Sequence, residues 1–144
     1  MNTILITGGV GFIGTNVAKK FIDEGYNVLA FDNLQRPGVN ENLEFLRQYG
    51  NDHFDFLWGD VRNLSDIKQM YDRKFLRQEI VCCIHLAANP GIPRSLQDPL
   101  YDFEINAKVT LNMLEFARFP NPIPFLLAST NKVYSDIINN YPMT

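Results

Sequence analysis

The chain has 144 residues, of which 46% are apolar and 20% charged, and a formal net charge of −3. That size allows one domain, or part of one, with a sizeable core, in an ordinary globular composition. The charge offers no basic footprint for nucleic acid, no apolar run nears the roughly 18 residues of a membrane span, and "MNTILITGG" is not expected to act as a secretory leader.

A cytoplasmic chain with no nucleic-acid or membrane partner is therefore expected. "TILIT" (Thr3–Thr7) is a short β-rich run that ends in glycines. From Phe12 the apolar residues Phe12, Ile13, Val17, Ala18, Phe21 and Ile22 recur at helical spacing until Gly25. "NVLAFD" (Asn27–Asp32) predicts a second strand, and a polar loop leads to a short helix around residues 41–48. "HFDFLWGD" (residues 53–60) alternates like a third strand, and Asn63 or Ser65 could cap a helix reaching about Phe75.

"EIVCCIHLAA" (residues 79–88) is apolar almost throughout, as a parallel strand covered on both faces should be. Its two cysteines, Cys82 and Cys83, are adjacent, so they face opposite sides of a strand and read as packed thiols. His53 and His85 do not complete a ligand set with them, and no metal site is expected. A loop with Pro90, Pro93 and Pro99 precedes a long helix over residues 101–118, and "IPFLLAS" (residues 123–129) is a fifth strand. Strands alternating with helices predict an α/β, Rossmann-type doubly wound parallel sheet in the order 3-2-1-4-5, ending after about the fifth strand.

The stretch "ITGGVGFIG" carries Gly8, Gly9, Gly11 and Gly14, satisfying G-x-G-x-x-G from Gly9 and G-x-x-G-x-x-G from Gly8. It follows a strand and opens an amphipathic helix, where glycines let backbone approach a diphosphate and the helix N-terminus offers it unpaired N–H groups. Asp32 closes the second strand about 20 residues on, where a carboxylate accepts from a ribose diol and repels a 2′-phosphate. NAD is thus expected over NADP, although Arg36 nearby could favour the latter. The other reading is that the glycines only pack helix on sheet. Asp60, in "WGDVRN", lies at the same rim and could accept from an adenine amino group or serve a turn.

"LITGGVGFIG", "FDNL", "GDVRN", "HLAA" and "STNKVY", in that order, resemble the extended short-chain dehydrogenase/reductase family of NAD-dependent nucleotide-sugar epimerases and dehydratases. "FDNLQRPGVNENLEFL", "DFEIN" and "STNKVY" are most similar to the branch that epimerises at sugar C2 by transient oxidation. The resemblance covers the whole chain, while a full family member is more than twice as long.

That resemblance implies a pyrophosphate loop of Gly8, Gly11 and Gly14, with backbone contacts from Phe12 and Ile13. It implies that Asp32 and Asn33 hold the adenosine ribose, that Asp60 and Val61 flank the adenine, and that Leu86, Ala87 and Ala88 line the nicotinamide side. Thr130 matches the catalytic hydroxyl, Ser129 its neighbour, and Asn106 a buried asparagine that supports the site. A hydroxyl at Thr130 can both donate to and accept from a sugar hydroxyl becoming a carbonyl. By residues alone Thr130 would simply close a strand-end turn.

The sequence departs from the family in three places: Ser135 stands where a glycine usually follows "VY", no glycine occurs near Lys108 and Val109, and "NPGIPRS" is rich in proline. The family's Tyr-x-x-x-Lys pair does not occur in these 144 residues; Tyr134 is followed four on by Ile138. The expectation is an N-terminal NAD-binding domain over residues 1–144 that holds NAD without turning over sugar alone. A nucleotide-sugar 4-epimerase or 4,6-dehydratase, and a non-catalytic dinucleotide-binding module, are the competing readings. The apolar residues of 101–118 (Phe103, Ile105, Val109, Met113, Leu114, Phe116) are more than one sheet face needs. They suit a homodimer or burial under further chain.

Overall fold

A computed structural model of the chain describes residues 2–72, 80–89, 91–118 and 121–130. Five strands form one parallel sheet, β1 (Thr3–Thr7), β2 (Asn27–Asp32), β3 (Phe54–Trp58), β4 (Ile80–His85) and β5 (Phe125–Leu127), in the order β3-β2-β1-β4-β5. This is the expected order. It arises because α1 (Phe12–Asp23) and α2 (Val39–Gly50) carry the chain outward to β3. After α3 (Leu64–Asp72) it returns to the opposite flank of β1, leaving the switch point between β1 and β4.

The period-two alternation of strands splits the core into two layers. Leu5, Leu29, Phe31, Leu57 and Cys83 face one side, where they meet Ile67, Met70, Val109, Met113 and Phe116. Ile4, Ile6, Val28, Ala30 and Ile84 face the other, against Val10, Ala18, Val39, Leu43 and Leu46. Thr3 pairs with Ile80 but Ile4 with Cys82, so the register slips at Val81. That irregularity lets Ile80 share a face with Cys83 despite the odd spacing. Cys82 and Cys83 do face opposite layers. Burial pushes the Cys83 thiol up to about 12, so it packs as an inert, protonated group.

Several elements differ from the sequence reading. α2 runs over twelve residues rather than eight, entered from Gly38 at φ 82°. β3 stops at Trp58 and β4 at His85, which leaves Asp60, Leu86, Ala87 and Ala88 in the loops beyond the strand ends. Asn63 takes the capping position of α3, its Oδ1 accepting from Ser65 N at 3.0 Å. The far end of that helix near Phe75 lies outside the described residues, as do Pro90 and everything from Asn131 to Thr144, including Lys132, Tyr134 and Ser135.

The proline-rich segment read as loop holds a short helix, α4 (Ile92–Gln97), because Pro93 falls in its first turn, where no N–H is needed. The predicted helix 101–118 is three pieces: α5 (Pro99–Phe103), a π-helical turn (Glu104–Lys108) and α6 (Val109–Arg118). Asp98 caps α5, accepting from Tyr101 N at 3.0 Å, with Pro99 first in the helix. Ile105, Val109, Met113 and Phe116 face the sheet, whereas Phe103, Leu111 and Leu114 face outward. Among the described residues no helix is long and apolar enough to cross a membrane, and no group of three His, Cys, Asp or Glu side chains could hold a metal.

Candidate functional site along the carboxyl rim of the sheet

All five strands are parallel, so their carboxyl ends meet at one edge, and hydrogen bonds link those ends into a continuous rim. At its centre Gly8 turns the chain out of β1 at φ 66°, its N–H donating to Phe31 O of β2 at 2.8 Å. A Cβ on Gly8 would lie 2.9 Å from Ala87 N, beyond β4. The loop therefore sits wedged between β2 and β4, and only glycine fits both the space and the dihedral angle.

Gly14 is tighter still, since a Cβ there would lie 2.2 Å from Gly8 O. Gly11 is roomier, because a Cβ on it would stand 3.3 Å from Gly8 O. Gly9, absent from the expected set, would place a Cβ 2.6 Å from that of Ala30, so it lets the loop pack closely on the sheet. Gly11 occupies the cap of α1, with no side chain capping it and no acidic residue in the first turn. Thr15 N bonds Gly11 O at 2.8 Å. The N–H groups of Phe12, Ile13 and Gly14 precede that first intrahelical bond, in the turn whose donors have no partner within the helix. The side chains of Phe12 and Ile13 are exposed, leaving only their backbone for the site.

On one flank stand the acids. Asp32 is partly buried at the end of β2, and Oδ1 accepts from Leu34 N at 2.9 Å. Burial raises its carboxyl above the ordinary range, against backbone N–H groups of Leu34, Val10 and Asn33 that lower it. Gly59 N donates to Asp32 O at 3.1 Å, and Asn33 Nδ2 to Asp60 Oδ2 at 3.0 Å, which ties the ends of β2 and β3 together. Asp60 also receives the Arg62 guanidinium on both oxygens, at 2.9 Å from Nε to Oδ1 and 2.5 Å from Nη2 to Oδ2. That ion pair holds the Asp60 carboxyl down at about 2. Arg62 lies over the Tyr101 ring, 5.3 Å from its centroid, linking the rim to α5. Asp60 N in turn donates to Asp66 Oδ2 at 2.9 Å, and Val61 is buried in the core. Asp60 thus performs the turn role, and its place beside Asn33 also keeps it on the rim.

On the other flank, Leu86 N donates to Thr7 O at 3.1 Å and Ala87 N to Thr7 Oγ1 at 3.3 Å. Ala88 is exposed. Ala128 N donates to His85 O at 3.2 Å, so Ser129 and Thr130 emerge beside the β4 end, both exposed. Asn106 lies behind this flank. Its Oδ1 accepts from Asn89 N at 2.9 Å, and its Nδ2 donates to Asp102 Oδ1 at 3.0 Å and Asn89 O at 3.3 Å. Asp102 Oδ1 also accepts from Ser95 Oγ at 2.7 Å and Asn89 Nδ2 at 3.1 Å; these bonds, Ser95 first, hold its carboxyl below the ordinary range.

The glycine loop, Asp32, Asn33, Asp60, Leu86, Ala87, Ala88, Ser129 and Thr130 lie at or just beyond the carboxyl ends of the strands, whereas the Val61 side chain belongs to the core and Asn106 stands behind the segment after β4. The rim adds Thr7, His85, Arg62, Asn89, Ser95 and Asp102, which the sequence reading did not assign to the site. A polar threonine and a histidine inside otherwise apolar strands were the only available signal for the first two. A separate apolar groove runs along α1, lined by Asn16, Val17, Lys20 and Phe21 with Phe12 and Ile13, and includes none of the loop glycines.

Comparison with known proteins follows the same lines. The family described as GDP-mannose 4,6 dehydratase matches residues 5–142. The chain is 40% identical over 135 residues to CDP-paratose 2-epimerase of Salmonella typhi, covering 93% of this chain and 38% of that protein. Among solved structures it resembles the NAD complex of UDP-glucose 4-epimerase from Thermus thermophilus, with TM-score 0.67 and 30% identity over 81% of this chain and 33% of that one. It also resembles the UDP-glucose 4-epimerase of Bifidobacterium longum with NAD+ and UDP, with TM-score 0.79 and 27% identity over 92% of this chain and 38% of that one. The chain therefore spans well under half the length of the relatives it matches.

Proposed function

The chain belongs to the GDP-mannose 4,6 dehydratase family of NAD-dependent epimerases and dehydratases, and from that membership we propose that it is the NAD-binding N-terminal domain, residues 1–144, of a nucleotide-sugar epimerase acting at C2 of a CDP-linked sugar. The observation that carries the cofactor reading is the cradle at α1. Methyl groups at Gly8 or Gly14 would strike backbone, and the helix start beside them carries no capping side chain or acid. A diphosphate supplies the acceptors and charge that such an end lacks.

In this reading Gly8, Gly11, Phe12, Ile13 and Gly14 hold the diphosphate through backbone. Asp32 and Asn33 bind the adenosine ribose, and Asp60 and Val61 flank the base. Leu86, Ala87, Ala88 and Ser129 line the nicotinamide end. When bound, NAD supplies the acceptor and then the donor of one hydride at the sugar carbon. Thr130 would hydrogen-bond the sugar hydroxyl whose oxygen gains carbonyl character, donating or accepting as the proton leaves and returns. Asn106 keeps the segment after β4 in place through Asn89. The name of the Salmonella typhi relative supports C2 and a CDP-sugar.

Calorimetric titration of the chain tests the cofactor. Saturable binding of NAD is expected, with NADP at least about tenfold weaker because a 2′-phosphate would face the Asp32 carboxylate. Absence of NAD uptake at millimolar concentration overturns the reading. Product analysis on a full-length family protein carrying this segment tests the sugar, inversion at C2 being expected. Inversion at C4 would favour the 4-epimerase activity named for the two structural relatives. The 144 residues alone, with no Tyr-x-x-x-Lys pair, are expected to give no turnover. The outward apolar residues Phe103, Leu111 and Leu114 support a homodimer through residues 101–118, for which sedimentation at graded concentration is the check.

A further inference from the structure

His85 is 2% exposed and Thr7 fully buried, yet both are polar and sit side by side as register partners at the ends of β4 and β1. Thr7 Oγ1 and His85 Nδ1 are 2.6 Å apart. The same hydroxyl oxygen accepts from Ala87 N at 3.3 Å. One arrangement satisfies the Ala87 amide, the Thr7 hydroxyl and His85 Nδ1 together: the amide donates to the hydroxyl, the hydroxyl donates to Nδ1, and the imidazole proton resides on Nε2. A buried polar side chain without such a partner is costly, so a Thr-His pair in an apolar sheet centre calls for a reason.

The reason lies in what the pair holds. Ala87 is the residue whose backbone a Cβ on Gly8 would strike. The distance between the glycine loop and the segment after β4 is therefore set where the Thr7 hydroxyl takes the Ala87 amide. The backbone of His85 reaches the other way, accepting from Ala128 N at 3.2 Å, just before Ser129 and Thr130. Its ring also lies 5.9 Å from that of Phe125 in β5. One buried residue thus contacts β1 through its side chain and β5 through its carbonyl, at the strand ends that converge on the site.

We infer that His85 is a positioning residue for the cofactor cleft, acting through the Thr7 hydroxyl to fix the Ala87 backbone against the glycine loop. This rests on the NAD reading above. It assigns the histidine no contact with cofactor or substrate and no proton transfer.

The test compares two replacements in the 144-residue chain. His85→Leu fills the space but offers no acceptor, while His85→Asn places an amide oxygen where Nδ1 stood. NAD affinity by calorimetry and exchange protection of the Ala87 amide by NMR are both measured. Loss of roughly tenfold in affinity and of Ala87 protection in His85→Leu is expected, with His85→Asn within about threefold of the parent on both. Equal damage by both variants, or none by either, overturns the inference, because a space-filling role would be rescued by leucine rather than asparagine. If His85→Leu does not fold, Thr7→Val and Thr7→Ser decide, with damage expected only where the hydroxyl is lost. Failure of the parent chain to take up NAD overturns the cofactor reading and the cleft role together. The Ala87 exchange measurement still decides the relay on its own.

Discussion

The glycine loop concentrates three different physical demands within seven residues, and single added methyl groups separate them. Gly14→Ala would push a Cβ to 2.2 Å from Gly8 O and within 2.8 Å of the Gly9 backbone, so α1 and the loop must move apart. Gly8→Ala meets Ala87 N at 2.9 Å and also keeps a left-handed φ of 66°. Gly11→Ala meets a single atom at 3.3 Å with an extended backbone of φ −69°, ψ 173°, which any residue adopts. Overpacking costs about 1–3 kcal/mol and a left-handed alanine about 1–2 kcal/mol more. Urea denaturation should therefore rank Gly11→Ala as the mildest, near or below about 1 kcal/mol, with Gly8→Ala and Gly14→Ala losing at least about 2 kcal/mol. A ranking with Gly11→Ala worst would show that the loop is not held as described.

At the level of elements, the segment from Asn89 to α6 is organised by a side-chain knot more than by helix propensity. The π-helical turn brings Asn106 to Asn89 and Asp102, and Thr110 Oγ1 closes onto the freed Asn106 carbonyl at 2.7 Å. π-turns of this kind recur at functional sites because they re-aim one side chain. Asn106→Ala leaves Asn89 N and Asp102 Oδ1 each short of a partner and should cost about 1–3 kcal/mol. It should also raise exchange at the Asn89 amide while leaving β1 and β2 protected. Uniform loss of protection across the sheet would instead place Asn106 in the global core. This knot explains the limits of the sequence reading. Strands, the first helix and the places of the glycine loop after β1 and of Asp32 at the end of β2 were legible because local periodicity and short-range spacing encode them, and the strand order follows from their alternation with helices. The π-turn and the Thr7–His85 contact were not, since they involve partners 17 and 78 residues apart. Proline richness suggested loop at residues 89–95 because composition does not reveal that Pro93 falls in a first turn. Asp60 was placed correctly on the rim, but its ion pair with Arg62, two residues on, shows only in three dimensions.

Across the whole molecule, stability against pH sums the proton affinities that folding changes, and below pH 8 His85 and Asp60 contribute in separate windows. Burial lowers His85 to about 4 from an ordinary 6.5, so the folded chain keeps the imidazole neutral where the unfolded chain would protonate it. Its contribution is complete above pH 6.5 and is lost as pH falls toward 4. Asp60, held down mainly by Arg62, moves from 3.8 to about 2, so its contribution is complete above 3.8 and lost between there and 2. Asp32, raised mainly by burial, works in the opposite sense and regains some stability on acidification. At about 1.36 kcal/mol per unit the histidine is worth at most about 3 kcal/mol, while Asp60, partly open to solvent, is worth on the order of 1 kcal/mol. Urea midpoints measured from about pH 8 downward should thus begin to decline near 6.5, before ordinary carboxylates titrate. In His85→Asn, which cannot take up that proton, the decline between 6.5 and about 4 should flatten while the steeper loss below 4 persists. A parent chain whose stability is level across that upper window would mean that the imidazole is not held neutral between β1 and β4, and the relay through Thr7 would lose its acceptor.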